Sequence, residues 1–403
     1  MKRIAIIGGG ISGLAVLHYL KQRFGDTVEI TLFEREATTG GTIRSIKKDS
    51  CLFEWGPNGF LDNQPYTLQL IKELGAADQL IEARPRAKRR YIQIRGGQRA
   101  VPWELPFKDK WSLVRGLFKK NISKDHSIDD YVSQRFSPSI AESLADPFIR
   151  GIWAGDIKRL HMASAFPDLK FKWFKNFRMR SFKGGMGEII ESLDKRYKQH
   201  IQTDCEISSA QINADVIIVA TPAYAAAKIV EHLNPVLARV LDQIPYAPVA
   251  VAGLLFKQDA FKNKPDGFGY LVPSGANKEI LGVLIESNVY EGRAARGQIM
   301  VRVMLGGAHH PAIINDSQDQ ILGKAIREMD SVYGLLANPI ETFVKLWPKA
   351  IPQYEINYPF LRQSIAEQCA KTPGLYLCAN YLGGVSFNDC IKNARSLSGA
   401  VII

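Results

Sequence analysis

The clearest alternation of apolar and polar positions lies near the start of the chain, in RIAIIGGGISGLAVLHYLKQRFGDTVEITLFERE (3–36). Ile4 to Ile7 form the nearly continuous apolar run that is typical of a central parallel strand. Leu14, Leu17 and Leu20 then recur at helical spacing, and a second apolar run follows in EITLF (29–33). The pattern predicts a strand, a glycine turn, a helix and a second strand.

Later stretches extend this pattern. ADVIIVATPA (214–223) is an apolar run that ends at a proline turn, and it predicts another buried strand. GLYLCANYLGGVSFNDCIKNARSLSGAVII (374–403) predicts a strand, a glycine loop and a helix. VAVAGLLF (249–256) and GQIMVRVMLGG (297–307) predict strands of a separate antiparallel sheet. Repeats and low-complexity linkers are absent from the sequence, so we expect the domains to pack as one body.

Glycines and one acid make the first unit a candidate nucleotide site. Gly8, Gly10 and Gly13 form a GxGxxG motif where the strand meets the helix. Such glycines permit a tight turn, the close approach of a pyrophosphate and close packing of the helix on the strand. Glu34 ends the second strand about 20 residues after the last glycine, where a carboxylate accepts hydrogen bonds from ribose hydroxyls. Together these features predict that the unit binds an adenine dinucleotide.

A second glycine pair distinguishes FAD from NAD. Gly40 and Gly41 follow Glu34 in REATTGGTIRS (35–45). This stretch resembles the second half of the FAD motif in the amine-oxidase-like flavoproteins, whereas NAD dehydrogenases usually lack the pair. The resemblance implies that the strand in 214–223 returns to the nucleotide domain. It also implies that the last helix is directed at the flavin, where a helix N-terminus favours negative charge on the reduced ring.

Charge changes the picture of the middle of the chain. The formal net charge is +12, which favours an acidic partner or substrate. Lysines and arginines concentrate from Arg84 to Lys120, and KFKWFKNFRMRSFK (170–183) interleaves basic and aromatic residues. Three interpretations stay open: a solvated face, a nucleic-acid surface, or a membrane-facing surface beside an acidic ligand. No nucleic-acid fold signature accompanies the charge, so we expect no nucleic-acid partner.

Cysteine and histidine usage points away from metals and disulfides. The five cysteines are widely spaced without a CxxC pair, and the seven histidines show no metal-binding spacing. We therefore expect no metal and a reducing cytoplasm. No apolar run approaches the roughly 18 residues of a membrane span, which leaves peripheral contact with the inner face of the cell membrane open.

Five stretches resemble the porphyrinogen oxidases, which are the FAD-dependent protoporphyrinogen and coproporphyrinogen oxidases of haem synthesis. The stretches are FEWGPNGF (53–60), GIWAGDIKRLHMASAFPDL (151–169), SFKGGMGEI (181–189), LWPKAIPQY (346–354) and CANYLGGVSFNDC (378–390). They occur in the family's order and span nearly the whole chain. WPKAIPQY and NYLGGV…DC are the most specific, since generic amine oxidases do not usually carry them.

The resemblance implies a site residue by residue. The implied FAD contacts are Gly8, Gly10, Ile11, Ser12, Gly13, Glu34, Arg35, Gly40, Gly41, Gly56, Pro57, Asn58, Gly59, Trp347, Ala379, Gly384 and Val385. GPNGF is the stretch that lies over the flavin in this family, and we expect the bare backbone of Gly56 and Gly59 to admit the ring. We expect non-covalent FAD, although Cys378 and Cys390 near the flavin leave covalent attachment open.

Candidates for substrate positioning are Asn58, Arg90 and Tyr381. Arg90 would pair with a propionate, with Arg89 or Arg95 as alternatives if the alignment slips. Trp55, Phe60, Trp153 and Tyr381 are candidates for an apolar slot around the macrocycle, though each also suits an ordinary core. A catalytic nucleophile or base is not expected, because flavin chemistry requires none.

The resemblance implies oxidation of an anionic tetrapyrrole, protoporphyrinogen IX or coproporphyrinogen III, to the porphyrin. Six electrons would leave in three flavin cycles, with O2 reduced to H2O2. The alternative is a flavin amine oxidase or another FAD-dependent oxidase. A non-enzymatic rival is a prenyl-GTPase chaperone, which has the same fold but lacks FAD. The sequence leaves open the choice between the two porphyrinogens and between a monomer and a homodimer.

The chain departs from the family in three places. It is shorter than most members, and the segment from Leu169 to Ser181 looks trimmed where the family has a longer helical excursion. Asn357 and Tyr358 stand where Gly and His are common, and Thr42 and Arg44 occupy variable positions of the FAD motif. The trimmed segment helps to shape the substrate mouth in the family.

We therefore predict an α/β (α+β overall) protein with a Rossmann-type FAD-binding domain and an antiparallel-sheet substrate domain. The FAD domain is expected to be discontinuous, over 1–82, 181–245 and 373–403. Residues 83–180 are expected to form a largely helical, basic entrance segment that contacts a membrane in one of the open interpretations. Residues 246–372 are expected to form the substrate-binding domain.

Overall fold

The computed structural model describes residues 1–94, 97–101, 104–119, 122–167, 177–207 and 213–402. The strands are, in chain order, β1 (Lys2–Ile7), β2 (Val28–Phe33), β3 (Ser45–Lys48), β4 (Cys51–Glu54), β5 (Phe60–Leu61), β6 (Leu80–Glu82), β7 (Arg90–Ile94), β8 (Gly97–Val101), β9 (Met179–Phe182), β10 (Ile201–Gln202), β11 (Val216–Val219), β12 (Tyr246–Lys257), β13 (Gly269–Leu271), β14 (Ile280–Leu284), β15 (Gln298–Gly306), β16 (Glu341–Pro352) and β17 (Leu375–Leu377). The helices are α1 (Ile11–Phe24), α2 (Pro65–Glu73), α3 (Phe107–Phe118), α4 (Ile128–Arg135), α5 (Pro138–Ile140), α6 (Asp146–Trp153), α7 (Met162–Ala165), α8 (Gly187–Tyr197), α9 (Ala223–Val230), α10 (Pro235–Asp242), α11 (Glu286–Val289), α12 (Gln318–Tyr333), α13 (Tyr358–Ala370) and α14 (Phe387–Ala400).

The first sheet is parallel and has the strand order β10–β2–β1–β11–β17. β1 is its central strand, paired with β2 on one side and β11 on the other, so its apolar run from Ile4 to Ile7 is buried. Strands from the beginning, middle and end of the chain therefore lie side by side. Their carboxyl ends share one edge, which is where nucleotide sites form in such sheets.

Helix α1 packs against this sheet and is covered by two other helices. Every residue from Ile11 to Leu20 is buried, because α8 and α14 also lie against α1. Burial on all sides explains why the helix is apolar well beyond one stripe. The packing holds the glycine turn before α1 in a fixed position relative to the sheet.

The second sheet has the strand order β16–β12–β15–β14–β13–β7–β8. It is antiparallel except where β13 pairs with β7 in parallel. β12 and β15 pair over nine residues, from Val249 opposite Gly306 to Lys257 opposite Gln298. One face of the sheet packs against α12 in a core that includes Phe256, Val303 and Met329.

Two smaller sheets connect these parts. β3 pairs with β4, and β9 lies between β5 and β6. The turn from Gly56 to Gly59 separates β4 from β5, so both of its ends are held by strand pairing. This placement fixes the position of the half-buried turn relative to both small sheets.

Residues 83–167 are helical from α3 onwards, but they begin with a hairpin. β7 and β8 pair through residues 90–101 and extend the second sheet, which the helical expectation for 83–180 did not include. The predicted fold class, a Rossmann-type domain with an antiparallel sheet and a helical segment, is confirmed. The domain boundaries stay a prediction, and the segment that looks trimmed lies mostly outside the described residues.

Candidate active site

The glycine turn before α1 is shaped by contacts that only glycine permits at two positions. Gly8 has a φ of +108°, and its N–H donates to the Phe33 carbonyl at 2.8 Å. A Cβ on Gly13 would lie 2.0 Å from the Gly8 carbonyl oxygen, so any side chain there would push α1 away from the turn. At Gly10, by contrast, a Cβ would meet no atom within 4 Å. Open space therefore lies in front of the helix.

The N-terminus of α1 is not capped by any side chain of the described residues. Gly10 is the N-cap residue, no side chain caps the helix, and its first turn contains no acidic residue. The first N–H groups of Ile11, Ser12 and Gly13 are thus available to a ligand at the positive end of the helix dipole. This arrangement fits the pyrophosphate of FAD.

Glu34 and the second glycine pair lie against the same turn. The Glu34 carboxylate accepts from the Gly9 N–H at 2.6 Å and from the Glu36 N–H at 2.9 Å, which fixes it beside the turn at the end of β2. The Gly40 N–H donates to the Gly9 carbonyl at 2.7 Å, and Gly41 approaches Gly10. The structure thus brings together residues that the sequence separates by about 30 positions.

Arg35 differs from the other implied FAD contacts in this region. Its side chain is 62% exposed and its Nε lies 3.3 Å from a carboxylate oxygen of the neighbouring Glu36. The described contacts therefore turn Arg35 towards a surface ion pair. Its contact with the cofactor stays a prediction.

The turn from Gly56 to Gly59 is held tightly by protein. A Cβ on Gly56 would lie 1.9 Å from the Thr42 carbonyl oxygen, and one on Gly59 would lie 2.1 Å from the Tyr290 hydroxyl. The expectation that these bare positions admit the flavin ring is wrong in its reason, since protein fills the space that the side chains would take. Both glycines are required because the turn is packed from behind. Contact of the opposite side of the turn with FAD stays a prediction.

Asn58 and Pro57 lie at the middle of this turn. The Ser181 hydroxyl donates to the Asn58 carbonyl at 2.9 Å. The Asn58 Nδ2 is buried and has no hydrogen-bond partner among the described residues, so it is a donor that a ligand can satisfy. This orphaned donor suits a polar atom of a cofactor or substrate.

Four buried charges lie behind the turn, and the sequence analysis identified none of them as a site residue. Glu54, Arg293, Glu286 and Arg302 have exposed fractions of 0%, 1%, 0% and 6%. Arg293 Nη2 lies 3.8 Å from Glu54 Oε1, and Arg302 Nη1 lies 3.7 Å from Glu286 Oε1. Burial, which is only partly offset by Arg302 and Arg293, raises the pKa of Glu286 to about 7. A signal was present, because Arg302 interrupts the otherwise apolar strand QIMVRVMLG.

The C-terminal glycine loop is held by two stacked tyrosines. The rings of Tyr354 and Tyr358 stack with centroids 4.0 Å apart. The Tyr354 hydroxyl donates to the Asn380 carbonyl at 2.7 Å and accepts from the Gly384 N–H at 3.0 Å. Tyr358 donates to the Tyr381 carbonyl at 2.5 Å, so this departure from the family supports the loop. Ala379 is buried in the core beside it, and Val385 packs on the helical cluster.

Trp347 lies on the long strand β16 and contacts the residue that precedes the Gly56–Gly59 turn. Its Nε1 donates to the Trp55 carbonyl at 3.2 Å, directly before Gly56. A Lys345 ammonium lies 4.7 Å from the centroid of the Trp347 ring. The structure therefore places Trp347 next to the turn, which is compatible with its predicted contact with FAD.

The four candidates for an apolar slot do not come together. Phe60, Trp55, Trp153 and Tyr381 belong to four separate apolar clusters. Tyr381 is fully buried and its hydroxyl has no partner among the described residues. Their placement favours packing roles, and the expectation of one slot made by these side chains stays a prediction.

The arginines at the start of the basic segment separate into paired and unpaired groups. Arg86 and Arg89 lie 2.5 and 2.7 Å from the Asp266 carboxylate, and these two partners lower the pKa of Asp266 to about 2. Arg90 has no carboxylate partner among the described residues. Its guanidinium lies 5.1 Å from the Phe268 ring centroid and contacts the Met179 sulfur at 3.3 Å. Arg95 lies outside the described residues.

Arg90 combines solvent exposure with a desolvated charge. Its surface is open to solvent, yet the protein atoms around the guanidinium lower the pKa of Arg90 below the usual value for arginine. A cation without a protein counter-ion, set against an aromatic ring, is ready to bind an anion. Of the two described arginines considered for a propionate, Arg89 and Arg90, the contacts therefore favour Arg90.

The cysteines near the C-terminal loop are poor nucleophiles. Cys378 and Cys390 are buried, and burial raises the pKa of Cys390 to about 11 and raises the pKa of Cys378 further. Thiolate, which is the reactive form, is scarce under these conditions. Within the described residues, no three His, Cys, Asp or Glu side chains are grouped to hold a metal ion.

A family model for flavin-containing amine oxidoreductases matches residues 11–402. Protoporphyrinogen oxidase of Bos taurus is 26% identical in an alignment that covers 100% of this chain and 98% of the relative. Coproporphyrinogen III oxidase of Bacillus subtilis (strain 168) is 23% identical, with 98% and 97% covered. Chloroplastic protoporphyrinogen oxidase of Nicotiana tabacum is 24% identical, with 98% and 84% covered.

Solved structures show the same fold. A provisionally named protoporphyrinogen oxidase from Exiguobacterium sp. 255-15 matches with a TM-score of 0.86 at 19% identity, covering 99% of this chain and 98% of that one. Reduced UDP-galactopyranose mutase matches with a TM-score of 0.77 at 14% identity, covering 100% and 94%. The resemblance inferred from the five motifs is confirmed by the relatives.

Proposed function

Because the chain belongs to the flavin-containing amine oxidoreductase family and is an FAD-dependent oxidase, we propose that it oxidises a porphyrinogen to the porphyrin in haem synthesis. The strongest support is that porphyrinogen oxidases match it over 96–100% of its length. Both protoporphyrinogen and coproporphyrinogen III oxidases are among those relatives, so the two substrates stand as equal candidates.

The proposed reaction converts one porphyrinogen and three O2 into one porphyrin and three H2O2. Six electrons and six protons leave the macrocycle. Bound FAD supplies two-electron chemistry and O2 takes the electrons from it, so three cycles are required. No protein nucleophile takes part. The chain contributes cofactor binding, substrate orientation and exclusion of water.

The described residues support specific roles in cofactor binding. The uncapped N-terminus of α1 would hold the pyrophosphate, and Gly10 leaves the space for it. Glu34, fixed beside the turn, would accept from ribose hydroxyls. The turn from Gly56 to Gly59 and the loop from Ala379 to Val385 would face the flavin. The raised pKa of both nearby thiols supports non-covalent attachment.

Substrate orientation would rest on Arg90 and Asn58. A propionate would give the Arg90 guanidinium the carboxylate that the described residues do not supply. The unpartnered Asn58 Nδ2 would donate to the substrate or to the flavin. In this proposal Arg90 would bind an acidic side chain of the substrate, and Asn58 would provide a polar contact at the turn.

A membrane surface is the partner that we propose for helix α3. Phe107, Trp111, Val114 and Phe118 recur every three to four residues on α3 and have exposed fractions of 84%, 57%, 47% and 77%. Its protein-facing side is instead made by Asp109 and Gly116, which are buried. An outward apolar stripe with lysines beside it suits an anionic bilayer. No helix in the described part of the chain is long and apolar enough to cross one.

The first test is an aerobic fluorescence assay with purified protein, given coproporphyrinogen III and protoporphyrinogen IX in parallel. We expect porphyrin fluorescence to rise above the rate without enzyme, with three H2O2 formed per porphyrin. The faster substrate would place the enzyme in its pathway. Yellow protein that leaves both traces at the uncatalysed rate would overturn the proposal, and denatured protein serves as the control.

A further inference from the structure

The buried charges behind the Gly56–Gly59 turn end on its backbone. Arg302 Nη2 donates to the Gly56 carbonyl at 2.5 Å. Arg293 Nη2 donates to the Ser181 hydroxyl at 2.8 Å, and Ser181 in turn donates to the Asn58 carbonyl at 2.9 Å. Each arginine therefore fixes one carbonyl of the turn, directly or through one hydroxyl.

The two carboxylates hold these arginines in unequal ways. Glu54 accepts from the Met186 N–H at 2.8 Å and the Ser45 hydroxyl at 2.7 Å, besides lying near Arg293. Neither oxygen of Glu286 has a hydrogen-bond partner among the described residues, and its nearest cation is Arg302 at 3.7 Å. Burying a carboxylate without hydrogen-bond partners lowers the free energy of unfolding, so Glu286 destabilises the fold.

Of the two fixed carbonyls, only that of Asn58 belongs to a peptide with an N–H group, because the Gly56 carbonyl is followed by Pro57. The C=O and N–H of one trans peptide point in opposite directions, so fixing the Asn58 carbonyl towards Ser181 directs the Gly59 N–H away from it. The Gly59 N–H has no acceptor among the described residues. The turn therefore presents an unpaired donor on the side opposite the charges.

We propose that Glu286, Arg302, Arg293 and Glu54 form a charge relay of positioning residues that holds the backbone of the turn at Gly56 and Asn58 so that the Gly59 N–H faces bound FAD. This inference rests on the proposed function only in placing FAD at the turn. It adds a role for Glu286 and Arg302, which are distant from the nucleotide motifs in sequence.

The relay is sensitive to pH through Glu286. The charged and titratable groups around it are Arg302 of β15, Arg293 and Tyr290 after α11, and Glu54 of β4. With its pKa raised to about 7, Glu286 is largely neutral at pH 5.5 and largely ionised at pH 8.5. Only the ionised form holds Arg302 by charge, so the turn should be held best above pH 7.

The test compares FAD dissociation constants of wild type and Glu286→Gln, measured by quenching of FAD fluorescence on addition of apoprotein. The ratio of the variant's constant to that of wild type should rise from near 1 at pH 5.5 to about 10 at pH 8.5. Glu328→Gln is the matched control, since Glu328 is a buried carboxylate bonded to Tyr270 and Lys278 in another part of the molecule. Its ratio should stay near 1 at both values.

A second variant keeps the inference testable if Glu286→Gln does not fold. Ser181→Ala removes the link between Arg293 and the Asn58 carbonyl, and it should weaken FAD binding several-fold at every pH. Ser331→Ala, which removes a hydroxyl bonded within α12, should leave binding unchanged. Wild-type FAD affinity in Ser181→Ala and Glu286→Gln would overturn the relay.

Two other results would also contradict the inference. A loss in Glu286→Gln that is equal at pH 5.5 and 8.5 would exclude a role for its charge, and an equal loss in Glu328→Gln would indicate general destabilisation. None of these measurements involves a porphyrinogen. Failure of the porphyrin assay would therefore leave the relay standing, and failure of the relay would leave the proposed reaction standing.

Discussion

At the scale of single residues, the most informative contrast is between Arg90 and its neighbour Arg86. Both belong to the basic segment, but Arg86 is paired with Asp266, whereas Arg90 has no carboxylate partner among the described residues and lies against an aromatic ring and a sulfur. We expect Arg90→Ala to raise KM for the porphyrinogen by roughly tenfold or more, because a charge-assisted hydrogen bond contributes about 1.5–3 kcal/mol. Steady-state kinetics would measure it.

Arg86→Ala is the matched control, since it removes the same charge from the same segment. Its KM should change little, and the FAD dissociation constant should stay at the wild-type value in both variants. An unchanged KM in Arg90→Ala would remove Arg90 from the substrate site.

The nucleotide-binding residues near the start of the chain could be predicted because their role depends only on residues close to them in sequence. Gly8, Gly10, Gly13 and Glu34 lie within one βαβ unit, where spacing alone determines which groups meet. Glu286 and Arg302 could not be predicted in the same way. The contact of Arg302 with the Gly56 carbonyl, and the pairing of Glu286 with Arg302, depend on the register of β15 in the second sheet and on the path of the chain over more than 200 residues.

At the scale of elements, the outward apolar stripe of α3 leads to a prediction about binding to phospholipid vesicles. Replacing Trp111 and Phe118 by serine removes two of its outward apolar side chains while Asp109 and Gly116 still face the protein. We expect the double variant to lose most of its binding to anionic phospholipid vesicles in a sedimentation assay, because each buried ring contributes apolar area.

Phe360→Ser is the control for this experiment, because Phe360 is a comparably exposed aromatic residue on α13. It should sediment with vesicles like wild type. If wild type binds neutral and anionic vesicles equally well, the lysines beside the stripe do not contribute to binding. If the double variant binds as well as wild type, α3 is not the membrane-binding element.

The hairpin of β7 and β8 shows where prediction of elements from sequence ends. Its residues, 90–101, are rich in arginine and were grouped with a helical segment. They form strands because β7 gains a partner, β13, that lies about 180 residues later in the chain. Tertiary pairing of this kind outweighs local preference, and only strands with their own apolar period, such as β12 and β15, were found from sequence.

At the scale of the whole molecule, the proposed FAD site joins distant parts of the chain, so cofactor binding should stabilise all of them together. FAD at a hundredfold excess over its dissociation constant contributes about 2.7 kcal/mol to the native state. We expect one thermal transition, shifted upwards by FAD, with coincident curves from tryptophan fluorescence and far-UV circular dichroism.

Trp153 lies in the helical cluster and Trp347 lies in the second sheet. Tryptophan fluorescence therefore reports unfolding outside the nucleotide-binding part of the molecule as well. AMP, which lacks the flavin and should bind more weakly, should give a smaller shift than FAD at the same concentration. Two separate transitions, of which FAD moves only one, would show that the parts unfold independently.

The order of strands in the parallel sheet has a consequence for synthesis on the ribosome. β1 and α1 are translated before β17 and α14, which complete the sheet and cover α1. At about 5–20 residues per second, α1 waits on the order of tens of seconds for its cover. During that time its apolar surface is a binding site for chaperones, and the nucleotide pocket is unfinished. FAD can therefore be captured stably only after β17 and α14 have been synthesised, which makes cofactor loading a step that follows the folding of the first strand and helix.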